Sequence, residues 1–291
     1  MRRFHTLDVF TDRPLAGNPL AVVLDCEGLD GSRMQAIARE FNLSETVFVL
    51  PARDPVNSAR IRIFTPAREL PFAGHPTVGT AALLAELHAP EIVARQDLAL
   101  VLEEEVGLVH CTAWRVRGRP YASFVLPRLP EDCGTPPADA ALAAALSLDP
   151  GEIGFDRHRA ALLTAGVPFT TVPLASPEAV DRARPDPARW PGDLPLYLYA
   201  RSATGFYARM FTAGPGFYED PATGSAVAAF AGAVMRFDSP PDGDHLIEVQ
   251  QGVAMGRPST IHLKLAVEGG ALTSASIGGG AVMVASGTLD L

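Results

Sequence analysis

The chain has 291 residues, 47% hydrophobic and 20% charged, with a mean hydropathy of +0.14, which excludes a disordered chain and leaves ample material for a core. At about 150 residues per domain the length suits two ordinary domains. Twenty-four Lys+Arg against 33 Asp+Glu give a net charge of −9 with no basic run, which disfavours nucleic acid as a partner.

In chain order, Met1 to Asp8 carries two arginines but no apolar stretch behind them, so no secretory leader is expected. Phe4 to Leu24 reads as strand, loop and strand around the turn-forming Thr11–Pro19. Asp30 to Phe41 has helical spacing, with Met34, Ile37, Ala38 and Phe41 on one face and Asp30 or Ser32 as N-cap. Glu45 then stands at the head of the β-branched strand Thr46–Leu50. Arg60–Phe64 alternates cleanly, and Leu98–Leu102, Leu108–Val116, Tyr121–Leu126, Leu196–Ala200 and Phe206–Phe211 continue the strands, with Gly118 as a hairpin turn. Between Pro130 and Pro195, Ala and Pro rise, and Ala138–Leu146 and the segment from Ser176-Pro177-Glu178 read as peripheral helices. Ile247 to Leu291 returns to strands punctuated by Glu268-Gly269-Gly270 and by Gly278-Gly279-Gly280, both expected as turns. A strand after the second glycine run argues against a dinucleotide fingerprint.

Lys264 is the only lysine, so Schiff-base chemistry would rest on it alone. The alternation Ile261–Leu265 sends its side chain to solvent instead. Cys26, Cys111 and Cys133 are widely spaced and odd in number, which implies neither a disulfide framework nor a zinc site. Histidines 5, 88, 110, 158, 245 and 262 lack ligand spacing and read as structural. The longest apolar run, Ala226–Met235, is too short to span a bilayer. A soluble cytoplasmic protein without a metal is the expectation.

The most informative pattern is an internal repeat. Residues 63–80 read IFTPARELPFAGHPTVGT and residues 210–226 read MFTAGPGFYEDPATGSA. Glu69, Pro71 and Gly74 in the first match Glu219, Pro221 and Gly224 in the second at an offset of 150 residues. An alanine-rich, helix-favouring run follows each copy. Two equivalent domains follow, each with a strand, a glycine loop and a central buried helix.

A glycine at a helix start leaves N–H groups and the positive end of the dipole facing outward, which suits a carboxylate or phosphate. Gly74 and Gly224 are either such anion loops or plain tight turns, and their paired occurrence favours the former. Glu45, among apolar neighbours, is either a general acid/base with a shifted pKa or an edge glutamate. His75 at a helix N-terminus is a neutral hydrogen-bonding ring or a cap. Asp220 orients substrate or caps the second helix.

The segments FHTLDVFTDRPLAGNPLAVV, FNLSETVFV, FTPARELPFAGHPTVGTA, EDPATGSA, QGVAMGRPS and IGGGAVMVASGTL together resemble the phenazine-biosynthesis PhzF-like family over residues 4 to about 289. The resemblance implies an α+β fold like that of diaminopimelate epimerase: two pseudo-symmetric domains, each a β-sheet wrapped around a central helix, with the active site in the cleft between them. The expected halves are residues 1–117, with a central helix near 75–88, and 118–279, with one near 224–237. Residues 280–291 are expected as a return strand to the first domain. Diaminopimelate epimerase places a thiol in each glycine loop; here Ala73 and the Asp220-Pro221-Ala222 region stand there, so a two-thiolate racemisation is excluded. The resemblance implies Glu45 as catalytic acid/base assisted by His75 and Asp220, with Gly74, Gly224 and Ser225 holding a substrate carboxylate. It further implies a cofactor-independent proton shift on trans-2,3-dihydro-3-hydroxyanthranilate or another small carboxylate, in a homodimer. An epimerase using Glu45 and Asp220 as opposed carboxyls, and a non-catalytic small-ligand binder, are the alternatives.

Overall fold

Alternating segments become strands and alanine-rich runs become buried helices in a computed structural model that describes residues 1–212 and 218–291. The chain divides into Met1–Pro127 with Gly278–Leu291, and Arg128–Ile277. The first unit holds β1 (Arg2–Val9), β2 (Asn18–Val23), α1 (Gly31–Phe41), β3 (Glu45–Leu50), β4 (Ala59–Phe64), β5 (Glu69–Leu70), α2 (Gly74–His88), α3 (Pro90–Val93), β6 (Leu98–Glu104), β7 (Gly107–Val116) and β8 (Arg119–Val125). The second holds β9 (Glu131–Gly134), α4 (Asp139–Leu146), β10 (Ala161–Thr164), β11 (Pro168–Pro173), α5 (Pro177–Arg182), β12 (Leu196–Arg201), β13 (Gly205–Thr212), β14 (Tyr218–Asp220), α6 (Gly224–Ala233), β15 (Gly243–Gln251) and β16 (Ser259–Glu268). The last strand, β17 (Ala271–Leu289), continues from the second unit into the first.

In the first unit β1 pairs antiparallel with β2, β2 runs parallel to β3, and β3 pairs antiparallel with β4. β4 runs parallel to β6, which continues antiparallel through β7 to β8. β17 pairs with both β8 and β1, returning the ladder to its start. The sheet thus encloses α2, whose residues from Gly74 to Ala85 are all buried. A helix surrounded on every side must be apolar all round, and small residues let it fit. A Cβ on Gly79 would lie 2.6 Å from Leu20 and 2.7 Å from Val9.

The second unit repeats this plan. β11 runs parallel to β12, β12 pairs antiparallel with β13, and β13 runs parallel to β15. Its central helix α6 is buried except at Ser225 and Gly232, with Phe230 packed on Tyr197, Tyr199 and Phe206. α6 is shorter than the expected span to 237, because a π-helical turn at Val234–Asp238 takes over. The repeat extends to side chains. Arg62 on β4 clamps Glu69 through two hydrogen bonds of 2.6 and 2.7 Å, and Arg209 on β13 clamps Glu219 at 2.7 and 2.9 Å. Each guanidinium also lies over the phenylalanine two residues on, Phe64 or Phe211.

Two expectations need correction. The division between units falls at Pro127/Arg128 rather than at 117/118, because β8 pairs with β7 from Val116–Arg119 to Cys111–Phe124. Gly118 does turn that hairpin, with Arg117 and Gly118 both at positive φ. Gly278-Gly279-Gly280 is no turn but the middle of β17. A Cβ there would meet Ser123 at 2.9 Å, the Phe10 ring at 2.4 Å or the Thr11 carbonyl oxygen at 2.5 Å, respectively. These glycines permit close approach rather than a change of direction. The loop after Thr212 in the second repeat copy lies outside the described residues.

Candidate active site

Two local devices place Glu45. α1 ends at Asn42, whose left-handed φ of 50° and N–H bond to Ala38 terminate the helix. Parallel pairing of β2 with β3 then aligns Leu20 with Glu45 and fixes the head of β3. His75 is the second residue of α2. Its Nε2 lies 3.3 Å from Glu45 Oε2, with side chains 5% and 16% exposed. Those two atoms fall short of aligned hydrogen-bond geometry. Burial pushes the His75 pKa down to about 3, so the ring is neutral across the working range of most enzymes. A neutral imidazole beside a partly accessible carboxyl can share a proton with it without adding a second charge.

The start of α2 carries no side-chain cap and no acidic residue in its first turn. The same holds for α6, whose N-cap Thr223 makes no side-chain bond to its helix. Both helix ends, at Gly74 and Gly224, therefore retain the partial positive charge that favours a carboxylate.

In the second unit the Asp220 side chain is 8% exposed and accepts a short hydrogen bond from the Thr223 hydroxyl. Gln251, fully buried, donates to the Asp220 carbonyl at 2.8 Å and to Thr223 Oγ1 at 3.0 Å. Its own Oε1 accepts from the Thr223 N–H at 3.3 Å. This net ties the Asp220-Pro221-Ala222-Thr223 loop to the end of β15 and leaves Ser225 half-buried at the helix start. Of the residues singled out from the sequence, Glu45, Gly74 and His75 thus gather in one unit, and Asp220, Gly224 and Ser225 in the other.

Sequence reading missed Thr77, Glu104, Thr223 and Gln251. The signal was present in the strand phase. Glu104 follows Leu100 and Leu102 on the buried face of β6, and Gln251 follows Val249 on that of β15. Cys26 and Cys111 are buried thiols whose pKa burial pushes up, to about 12 for Cys26, while Cys133 is exposed. Lys264 is solvent-facing and pairs with Asp244 at 2.7 Å. His158 is buried between Tyr199 and Asp238, at 2.9 and 3.0 Å, as a structural link. Among the described residues no group of three His, Cys, Asp or Glu side chains could hold a metal ion, and no helix is long and apolar enough to cross a membrane.

The sequence pattern of the family described as "Phenazine biosynthesis-like protein" matches residues 7–287. An uncharacterised isomerase of Mesorhizobium japonicum is 53% identical over 301 residues, covering 99% of this chain and 98% of the relative. The trans-2,3-dihydro-3-hydroxyanthranilate isomerase of Pseudomonas aeruginosa is 37% identical over 294 residues, covering 99% of each. The crystal structure of a PhzF-family phenazine biosynthesis protein from Bacillus anthracis superposes with a TM-score of 0.86 at 23% identity, covering 100% of this chain and 99% of the other. A hydroxyproline epimerase from Agrobacterium vitis shares the fold at a TM-score of 0.66 and 14% identity, covering 98% and 91%.

Proposed function

Because the chain belongs to the phenazine biosynthesis-like protein family and is an isomerase, we propose that it moves a proton within a small carboxylate substrate of the dihydrohydroxyanthranilate type, with Glu45 as the single acid/base. The observation that carries this reading is the 3.3 Å approach of His75 Nε2 to Glu45 Oε2 beside an uncapped helix N-terminus. Glu45 removes a proton from a ring carbon acidified by conjugation, and the same carboxylic acid returns it to another carbon. The neutral His75 ring steadies the carboxyl in both states. Gly74 offers backbone donors for a substrate carboxylate at the start of α2, and Gly224 and Ser225 offer backbone and hydroxyl donors at the start of α6, where Asp220 is held by Thr223 and Gln251. No bond is oxidised or reduced in this shift, so a proton-transfer residue suffices. We further read the protein as a cytoplasmic homodimer.

The test is turnover of trans-2,3-dihydro-3-hydroxyanthranilate, followed by loss of its absorbance and by NMR of the product. Turnover by the wild type with loss in Glu45→Gln supports both the substrate class and the role of Glu45. No turnover by the wild type contradicts the substrate assignment. Exchange of the α-proton of amino or hydroxy acids with solvent, with inversion, would instead favour an epimerase with Glu45 and Asp220 as the two carboxyls.

A further inference from the structure

Glu104 is a buried carboxyl that the proposed proton shift does not use. It ends β6 and is 9% exposed. Oε1 lies 2.8 Å from Thr77 Oγ1, and Oε2 has no hydrogen-bond partner among the described residues. Thr77 Oγ1 in turn lies 2.8 Å from the carbonyl oxygen of Ala73, the N-cap of α2. One hydroxyl carries one proton and cannot donate to both oxygens. The chain is self-consistent when Glu104 is the acid: its O–H donates to Thr77, and Thr77 donates to Ala73.

The second unit places a permanent donor at the equivalent strand position, with its hydroxyl partner Thr223 at the N-cap, where the first unit has Ala73. In the parallel pair β4–β6, Arg60 faces Glu103, and in β13–β15, Tyr207 faces Gln250. Arg60 and Tyr207 each stand two residues before the clamping arginine, so Glu104 and Gln251 are equivalent. Gln251 donates its amide N–H to Thr223 Oγ1, and Thr223 donates to Asp220. A protonated glutamic acid is the isostere of that amide.

The surroundings favour the neutral form. α2 presents Thr77 to Glu104, and β7 presents the buried thiol of Cys111. Arg53, Arg60, Arg62, Glu69, Glu103 and Glu105 share with it the wall of a cavity of about 500 Å³. Arg62 is taken by Glu69, and Glu103 is taken by the N–H groups of Arg53 and Asp54 and by Asn57. Glu104 itself makes no ion pair among the described residues. Desolvation accordingly pushes its pKa up to about 8.

We propose that Glu104 is a positioning residue which, as a neutral acid donating through Thr77, holds the Ala73-Gly74-His75 start of α2 in place for substrate and for Glu45, and releases it on ionisation. This rests on the proposed function only for its activity readout.

Two measurements on the full chain test it. The first needs no substrate: the amide resonances of Gly74 and His75 and the Glu104 side-chain carboxyl signal are followed by NMR from pH 5 to 9.5. The expected result is a common transition with a midpoint near 8, absent in Glu104→Gln. A carboxyl that titrates in the ordinary range, or amides that stay put, overturns the proposal whether or not a substrate is known. The second compares kcat/KM against pH. The wild type declines on the alkaline side by about tenfold per pH unit for loss of one proton. Glu104→Gln keeps the neutral-pH rate and loses that decline, whereas Glu104→Leu, with a native circular dichroism spectrum, loses rate at all pH values. An unchanged alkaline limb in Glu104→Gln contradicts the positioning role. Wild-type inactivity on every small carboxylate tried contradicts the functional reading instead, and the NMR titration still decides the fate of Glu104.

Discussion

His75 and Glu45 meet across the head of β3 and the start of α2, with Nε2 and Oε2 3.3 Å apart and the histidine side chain 5% exposed. The ring is buried so deeply that its protonated form is disfavoured, and its pKa falls to about 3. The histidine of the proposed acid/base pair thereby carries no positive charge near neutrality.

That burial has a stability signature. The folded pKa of His75 lies below the unfolded value of about 6.5, so its contribution is fully present above pH 6.5. As pH falls, the unfolded chain takes a proton that the folded ring refuses, and stability is lost at roughly 1.4 kcal/mol per pH unit down towards pH 3. His75→Gln should remove this part of the slope. Urea midpoints between pH 4 and 7 measure it, and an identical slope in variant and wild type would contradict a buried neutral ring.

Gln251 holds the Asp220 loop from beneath. Gln251→Leu strands the Thr223 N–H and the Asp220 carbonyl, which lie in buried surroundings. Each orphaned group costs about 1–3 kcal/mol, so a fall in Tm of several degrees is expected. Because the same bonds orient Asp220, substrate affinity should fall alongside it. Loss of stability with an unaltered KM would make the net a purely structural one.

The two arginine clamps have diverged in burial, and their removal should differ accordingly. Arg209 is 6% exposed and also donates to the carbonyls of Val180 and Ala183. Arg209→Met leaves Glu219 uncompensated and should cost about 3–5 kcal/mol. Arg62 and Glu69 have side chains 30% and 31% exposed, and Arg62→Met should cost about 1 kcal/mol or less. Chemical denaturation of the pair of variants ranks them, and equal losses would contradict the burial argument.

Much of the fold was written plainly in the chain, and the reason is periodicity. The Glu-x-Pro-x-x-Gly repeat pointed to two equivalent halves because the same turn and the same clamped glutamate are needed wherever a strand must feed a central helix. Of the two α1 caps expected, Asp30 or Ser32, it is Asp30 whose side chain accepts from the Arg33 N–H, at 2.8 Å. Gly278-Gly279-Gly280 was misread because a glycine run marks either a bend or a close approach, and only the position of Phe10 and Thr11 decides which. Glu104 and Gln251 escaped notice because their role depends on hydroxyls far away in sequence, 27 and 28 residues off. Glu45 with His75 was named as a pair only through family resemblance; no spacing links a strand head to a helix start 30 residues later.

The glycine run yields its own expectation. Gly280→Ala brings a Cβ to 2.5 Å from the backbone oxygen of Thr11, which no side-chain adjustment relieves. A loss of about 1–3 kcal/mol is expected from such overpacking. Gly270→Ala, with open space around the new carbon, meets only the strain of its positive φ and should be milder. Thermal denaturation of both variants tests the contrast, and an equal effect would return the run to the status of an ordinary turn.

The proposed function turns on one carboxyl, Glu45, both taking and returning the proton. The most direct measurement is the hydrogen isotope at the reprotonated carbon when trans-2,3-dihydro-3-hydroxyanthranilate is turned over in D2O, read by NMR for the wild type and for Glu45→Gln. Some protium should be carried over by the wild type, since the same acid makes the return, and the rate should be lower by about 10²–10⁴-fold in the variant. Complete deuteration together with undiminished turnover by Glu45→Gln would contradict it.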